Sequence, residues 1–379
     1  MKPEAAVVIA LAKGDARQFR EAARSGFDRV ATAALAARHQ VAPLCGWMWR
    51  NRVRGQMGLP DGRLDRSLER ALWESYLHHT ARNEAFVADV TTVQDAFASQ
   101  KIEPIYFKGP WLVMRAYPAA GTRPVDDIDI GVREDDYRGA VAALRAAGYS
   151  PAGDLPEASS AALRRAHYKR QLRFVARGRR PVELHFRLVN VGLPTVDERW
   201  VWQTSREIRV GGRCLRVPGP EAALLHLVLH ANQHGFFMLR LLHDIRWSLK
   251  SDRNCLDLLA LVRRIRELRC GAASYHALAL ARELAGAEVP DPLLDALRPS
   301  ALRLLIGSRV WRLAAVRRLE ACRGRTEVES TLLYLLEIGR LPEKVRFLAS
   351  LVAEAGGVRP FAARLRRILA VSPDARDSS

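Results

Sequence analysis

The sequence predicts an α+β fold in which a small mixed β-sheet stands between an N-terminal and a C-terminal helical region. Three observations carry that expectation. Apolar residues recur every three or four positions through much of the first hundred residues, which is helical periodicity. Short β-prone runs, several ended by Gly or Pro, are confined to residues 101–217. Helical spacing returns from Pro220 onward. The expected divisions are residues 1–100, 101–217 and 218–371, followed by a disordered tail at 372–379.

Taken in order, residues 15–24, 29–39 and 64–98 read as helices, with the Gly58-Leu59-Pro60-Asp61-Gly62 break ahead of the last. The apolar stretch near Met1 soon gives way to a charged, amphipathic pattern, so it reads as a helix and not as a secretory signal. Residues 104–107 form a short strand ended by Lys108-Gly109, and Pro110 suits an early position of a helix reaching residue 117. A loop at 121–124 leads into a strand at 127–132, then a helix at 135–147 stopped by Gly148. Strands at 171–176 and 182–188 flank the turn-like Arg177-Gly178-Arg179-Arg180-Pro181 segment. Residues 208–217 read as a hairpin around Gly211-Gly212.

Composition narrows the function classes. Hydrophobic residues make up 49% and charged residues 27% of the 379, the balance of a folded domain. No run of about 18 uncharged apolar residues exists, so no membrane span is expected and the cytoplasm is the default location. Five scattered cysteines without CxxC spacing predict neither a disulfide framework nor a zinc site. The formal net charge is +19, but basic residues are spread along most of the chain and Arg greatly outnumbers Lys. Solvated Arg-rich faces account for that more simply than a polynucleotide partner. Local patches at Arg164-Arg165, Lys169-Arg170 and Arg177 to Arg180 keep the second reading open.

The chemistry concentrates in Arg123-Pro124-Val125-Asp126-Asp127-Ile128-Asp129-Ile130-Gly131-Val132. Side chains alternate along a strand, so Asp127 and Asp129 face one way, roughly 6–7 Å apart, while Ile128 and Ile130 face a core. Two like charges on one face are best tolerated around a hard divalent cation with oxygen ligands, Mg²⁺ above all. Glu183, between Val182 and Leu184, is a third carboxylate aimed away from its apolar neighbours, and His185 shares its face. His226, His230 and His234 lie at i, i+4 and i+8 on one helix, with His243 and Asp244 further on. They read either as a zinc site or as side chains facing the carboxylate strand.

Phe107-Lys108-Gly109, Arg123, Asp127-Ile128-Asp129, Val182-Glu183-Leu184-His185, Ala231-Asn232-Gln233-His234 and the 239–245 run, in that order, resemble the nucleotidyltransferase superfamily with its polymerase-beta-like fold. More narrowly, the chain resembles the uncharacterised nucleotidyltransferases. That resemblance implies a nucleotidyltransferase core within the mixed sheet and transfer of a nucleoside monophosphate from an NTP, with ATP the expected donor. Two Mg²⁺ ions, with Mn²⁺ as an alternative, would be held by Asp127, Asp129 and Glu183. Lys108, Gly109 and Arg123 would hold phosphates, although Arg123 has an equal claim to pairing with Asp126. His185, His230, His234 and Asp244 are candidates for acceptor binding or support. The superfamily usually has Gly-Ser where this chain has Lys108-Gly109-Pro110, which removes a hydroxyl and a backbone donor. Hence a catalytically silent relative that binds nucleotide or a partner is one alternative; the net charge of +19 motivates another, an RNA-directed transferase. A small molecule or modified peptide is the expected acceptor ahead of RNA.

Overall fold

The computed structural model describes residues 1–57, 64–155, 172–185, 198–300 and Glu320. The Gly58 to Gly62 break, the Arg164-Arg165 and Lys169-Arg170 patches, and the tail at 372–379 lie outside the described residues.

Helices α1 (Pro3–Lys13), α2 (Ala16–Ala23), α3 (Arg29–Arg38), α4 (Ala42–Met48) and α5 (Arg66–Ser99) make up the N-terminal part. Local chemistry sets their starts. Asp15 accepts from the Gln18 backbone N–H at 2.9 Å, and Asp28 from Ala31 at 2.8 Å, each satisfying an otherwise orphaned donor. The apolar N-terminal stretch becomes α1, whose Val7, Val8, Leu11 and Ala12 are fully buried. Arg246 ties its C-terminal end down, donating to the carbonyls of Lys13 at 3.1 Å and Ala285 at 2.9 Å.

The sheet is mixed. Strands β1 (Ile105–Tyr106), β2 (Ile128–Gly131), β3 (Ser150–Pro151), β4 (Leu172–Val175), β5 (Val182–His185), β6 (Arg206–Val210) and β7 (Arg213–Val217) stand in the order β3-β4-β5-β2-β1-β7-β6. β2 runs parallel to β5 and antiparallel to β1, and β1 runs parallel to β7. The expected hairpin is β6–β7, turned by Gly211 and Gly212 at φ 54° and 79°, which side-chain-bearing residues seldom adopt in succession. β3 has no counterpart in the sequence expectation. It holds no β-branched residue and exists through its pairing with β4.

Helices α6 (Gly109–Trp111), α7 (Tyr137–Ala146) and α8 (Glu198–Gln203) connect the strands. After the sheet come α9 (Pro220–Gln233), α10 (Leu239–Asp252), α11 (Leu258–Glu267), α12 (Gly271–Leu280) and α13 (Asp291–Leu297). Among the described residues no helix is long and apolar enough to cross a membrane.

The long helix α5 acts as a spine. Its Asn83 amide donates to the Ala120 and Arg123 carbonyls, fixing the loop that enters β2. Further along, Asp89 accepts from the Arg180 backbone N–H, and Asp95 pairs with Arg213. Arg180 therefore does not serve the basic patch expected around it. It is buried, with its guanidinium on the Val125 and Arg82 carbonyls, because Asp89 and those carbonyls compensate its desolvation. At the α4–α5 crossing a Cβ on Gly46 would run into the Leu72 carbonyl. Gly46→Ala will cost about 1–3 kcal/mol in urea unfolding, because the obstacle is backbone and cannot rotate away.

Two buried histidines make stability depend on pH. No described residue hydrogen-bonds either ring nitrogen of His243, which is fully buried, and burial followed by the Arg246 charge pushes it well below its ordinary value. Burial alone lowers His276 to about 4. Both stay neutral in the fold, whereas an unfolded histidine takes up a proton near 6.5. The unfolded chain thus binds more protons below that pH. Stability is complete above about pH 6.5 and falls toward pH 4, by about 1.4 kcal/mol per pH unit for each histidine. Urea midpoints at pH 7.5 and 5 will show the drop, and His243→Leu will halve the share these two residues supply.

Candidate active site

The register of β2 against β5 assembles the site. Asp129 lies directly beside Glu183, and Gly131 beside His185. Alternation then turns Asp129, Glu183 and His185 to one face, while Ile128, Ile130, Val182 and Leu184 fill the other. One ligand atom from each of Asp129, Glu183 and His185 lies within 4.8 Å of the other two. His185 Nε2 is 3.1 Å from Asp129 Oδ1 and 4.0 Å from a Glu183 oxygen. The Lys108 ammonium reaches the same Asp129 Oδ1 at 2.8 Å. Lys108 stands at φ 43° and ψ −92°, a conformation L residues avoid at a cost of about 1–3 kcal/mol. That strained turn immediately precedes α6 and delivers a full positive charge to the carboxylates.

The remaining sequence-predicted residues fall into two groups. Asp127 is half-buried close by, near enough to Asp129 for their charges to oppose each other, but it is not one of the three side chains that close on one another. Asp126 is exposed and accepts from the Gln40 amide at 3.3 Å. Arg123 does not pair with it. Its guanidinium is buried and grips both oxygens of Asp244, at 2.8 and 2.9 Å, and Tyr117 donates to the same carboxylate at 2.7 Å. Asp244 is thereby occupied with Arg123. Arg240, one helical turn earlier on α10, reaches Asp244 at 3.4 Å and Gln40 at 2.6 Å. Gly109 is needed for space, since a Cβ there would press on Phe86 and Val125 at 3.2 Å.

The α9 histidines form a column. His226 stacks on Phe107 at 5.3 Å, His230 on His226 at 5.9 Å, and exposed His234 meets His230 edge-on at 4.5 Å. Among the described residues the Asp129, Glu183 and His185 set is the one with metal-ligand spacing; the three histidines of the column do not meet it together.

Sequence comparison decides the family. The model of the uncharacterised nucleotidyltransferases matches residues 25–286. The chain belongs to that family. It is thus a transferase, and the strand-borne carboxylates lie inside the matched region. Two solved structures are similar in part: a crystal structure of ANT(2″)-Ia in complex with adenylyl-2″-tobramycin, and a solution structure of the antibiotic-resistance factor ANT(2″)-Ia. The first is 14% identical, covering 48% of this chain and 96% of that one, with a TM-score of 0.35. The second is 15% identical over 53% and 97%, also at 0.35. No curated protein matches the chain.

This candidate site carries more negative than positive charge. Burial, then the Asp129 charge, raise the Asp127 carboxyl against the pull of Lys108, Arg240 and Arg123. Burial, then Asp129 and Asp127, raise Glu183. Burial works against Asp129 as well, but Lys108 and the His185 hydrogen bond outweigh it and hold that carboxyl well below the usual range. Burial and the Lys108 charge keep His230 neutral. Sequence reasoning gave no role to Arg240, although its charge reaches Asp127, nor to Arg173, which sits opposite Glu183 on β4 and is exposed. The alternation Leu172-Arg173-Phe174 was the available signal for Arg173; nothing local marks Arg240.

Proposed function

We propose that this nucleotidyltransferase moves a nucleoside monophosphate from an NTP, ATP first among them, onto an acceptor hydroxyl or phosphate. The observation that carries the proposal is the side-by-side placement of Asp129 and Glu183 on parallel strands, with Lys108 against them. The residues fit divalent ions. The Lys108 ammonium contacts Asp129, and the carboxyls of Asp127 and Glu183 are raised by burial and by the neighbouring carboxylates. Such surplus negative charge suits a divalent cation. Asp129 and Glu183 would hold one ion, and Asp127 with Asp129 a second. Bound there, the ions would supply Lewis-acid stabilisation of the attacking and leaving oxygens.

The protein's own groups do the rest. Lys108 and the Gly109 turn hold the triphosphate, and Arg240 adds positive potential beside Asp127. Glu183, raised from its ordinary value by burial and the neighbouring Asp129, is placed to take the proton from the acceptor hydroxyl. The freed oxygen bonds to the α-phosphorus as the bond to the departing pyrophosphate breaks. Arg123 acts at one remove, by anchoring the entrance to β2 through Asp244.

In this reading the catalytic unit is residues 101–217 and the reaction runs in the cytoplasm, where NTP is held; of the expected C-terminal part 218–371, residues 301–319 and 321–371 lie outside the described residues. Of the three basic patches expected from the sequence, the one among the described residues has Arg180 buried, which favours a small molecule or modified peptide over an RNA acceptor. The test is pyrophosphate release and label transfer from α-labelled NTP across a panel of acceptors. NTP binding with no turnover on any acceptor would replace the enzyme with a silent nucleotide-binding relative.

A further inference from the structure

We infer that His185 is itself a metal ligand, so that the site is a mixed oxygen–nitrogen one favouring a first-row transition dication over Mg²⁺. The location rests on the nucleotidyltransferase reading; the choice of ion does not.

Geometry is the first support. His185 follows Glu183 by two residues on β5, so both side chains leave the same face of the strand. Opposite His185 on β2 is Gly131, which contributes no side chain to that face. The space is taken by Phe107, whose ring comes within 2.6 Å of where a Gly131 Cβ would stand. Phe107 in turn packs edge-on against the His185 imidazole, with centroids 6.2 Å apart at 89°. The ring is therefore held with Nε2 over Asp129 Oδ1, at 3.1 Å, and toward Glu183 at 4.0 Å. Asp127 is not part of that set.

Donor chemistry is the second support. Mg²⁺ takes oxygen ligands in a near-ideal octahedron and keeps several waters. A neutral imidazole nitrogen is a softer donor that suits transition ions, with affinity rising from Mn²⁺ along the first row. An Asp, Glu and His set thus gives up Mg²⁺ affinity relative to three carboxylates and gains it for those ions. Ligation requires a bare Nε2, so the present contact with Asp129 gives way when an ion binds.

The test uses the full-length protein with Mn²⁺ alone, the weakest binder of the series and one with a readable spin. Pulsed electron paramagnetic resonance of bound Mn²⁺ is expected to show coupling to an imidazole ¹⁴N. That coupling should vanish in His185→Gln, and Mn²⁺ affinity should fall about 10-fold or more. Mg²⁺ should displace Mn²⁺ from the wild type only at roughly 100-fold excess, and more readily from the variant. The wild-type spectrum carries the test even if the variant folds poorly. Bound Mn²⁺ without nitrogen coupling, equal competition by Mg²⁺, or no Mn²⁺ binding would each overturn the inference. Nitrogen coupling in a protein that turns over no NTP would uphold the ligand and sink the proposed reaction; turnover with an all-oxygen Mn²⁺ spectrum would do the reverse.

Discussion

Asp129→Asn will lower kcat for nucleotidyl transfer by about 1,000-fold or more while leaving the fold intact. Asp129 is the shared point of the site. Its Oδ1 meets both the Lys108 ammonium and His185 Nε2, and the whole side chain is buried beside Glu183. An asparagine keeps the shape and can still accept from Lys108, but it removes the charge that any divalent ion there would need. Asp127→Asn should cost less, about 100-fold, since Asp127 lies outside the closely spaced set. Pyrophosphate release measures both, and circular dichroism checks the fold. Unchanged turnover in Asp129→Asn would remove this site from the reaction. A matching loss of unfolding cooperativity would instead make the residue structural.

Asp244→Asn will destabilise the protein by about 3–5 kcal/mol, the largest stability effect expected of any single substitution discussed. The Arg123 guanidinium is buried with both of its Asp244 contacts under 3 Å, and Tyr117 completes the cluster. Burial opposes each charge, and the pairing outweighs it, raising Arg123 and lowering Asp244. Removing one charge strands the other in a site with little water. Replacing both, as Arg123→Met with Asp244→Leu, should recover most of the loss, because neither charge is then left alone. Urea unfolding of the two single variants and the double variant supplies the cycle. A single variant within about 1 kcal/mol of wild type would mean that the charge is not isolated from water.

The mixed sheet, the β6–β7 turn at Gly211-Gly212 and the common face of Asp129, Glu183 and His185 were legible because each follows from short-range geometry. Period-two alternation needs no knowledge of the rest of the chain. Partnerships were less legible. Arg123 had Asp126 three residues away and chose Asp244, 121 residues on, because α10 brings a buried carboxylate to it. Arg180 looked like part of an exposed basic run and was drawn inward by Asp89 of α5. Lys108 read as a phosphate-holding residue. Only its positive φ turns the ammonium onto Asp129.

From its residues alone this chain declared that Asp129, Glu183 and His185 share a face, since strand alternation is a property of the backbone, while the family was legible only as a resemblance of motifs in order. The tertiary structure alone decided that Asp129 meets Glu183 in register, that His185 joins them in place of Asp127, and that Arg123 is committed to a buried pair. With dozens of arginines available, nothing in the one-dimensional order selects a partner for any carboxylate. The selection is made when packed helices exclude water and leave one compensated arrangement of the charges they bury.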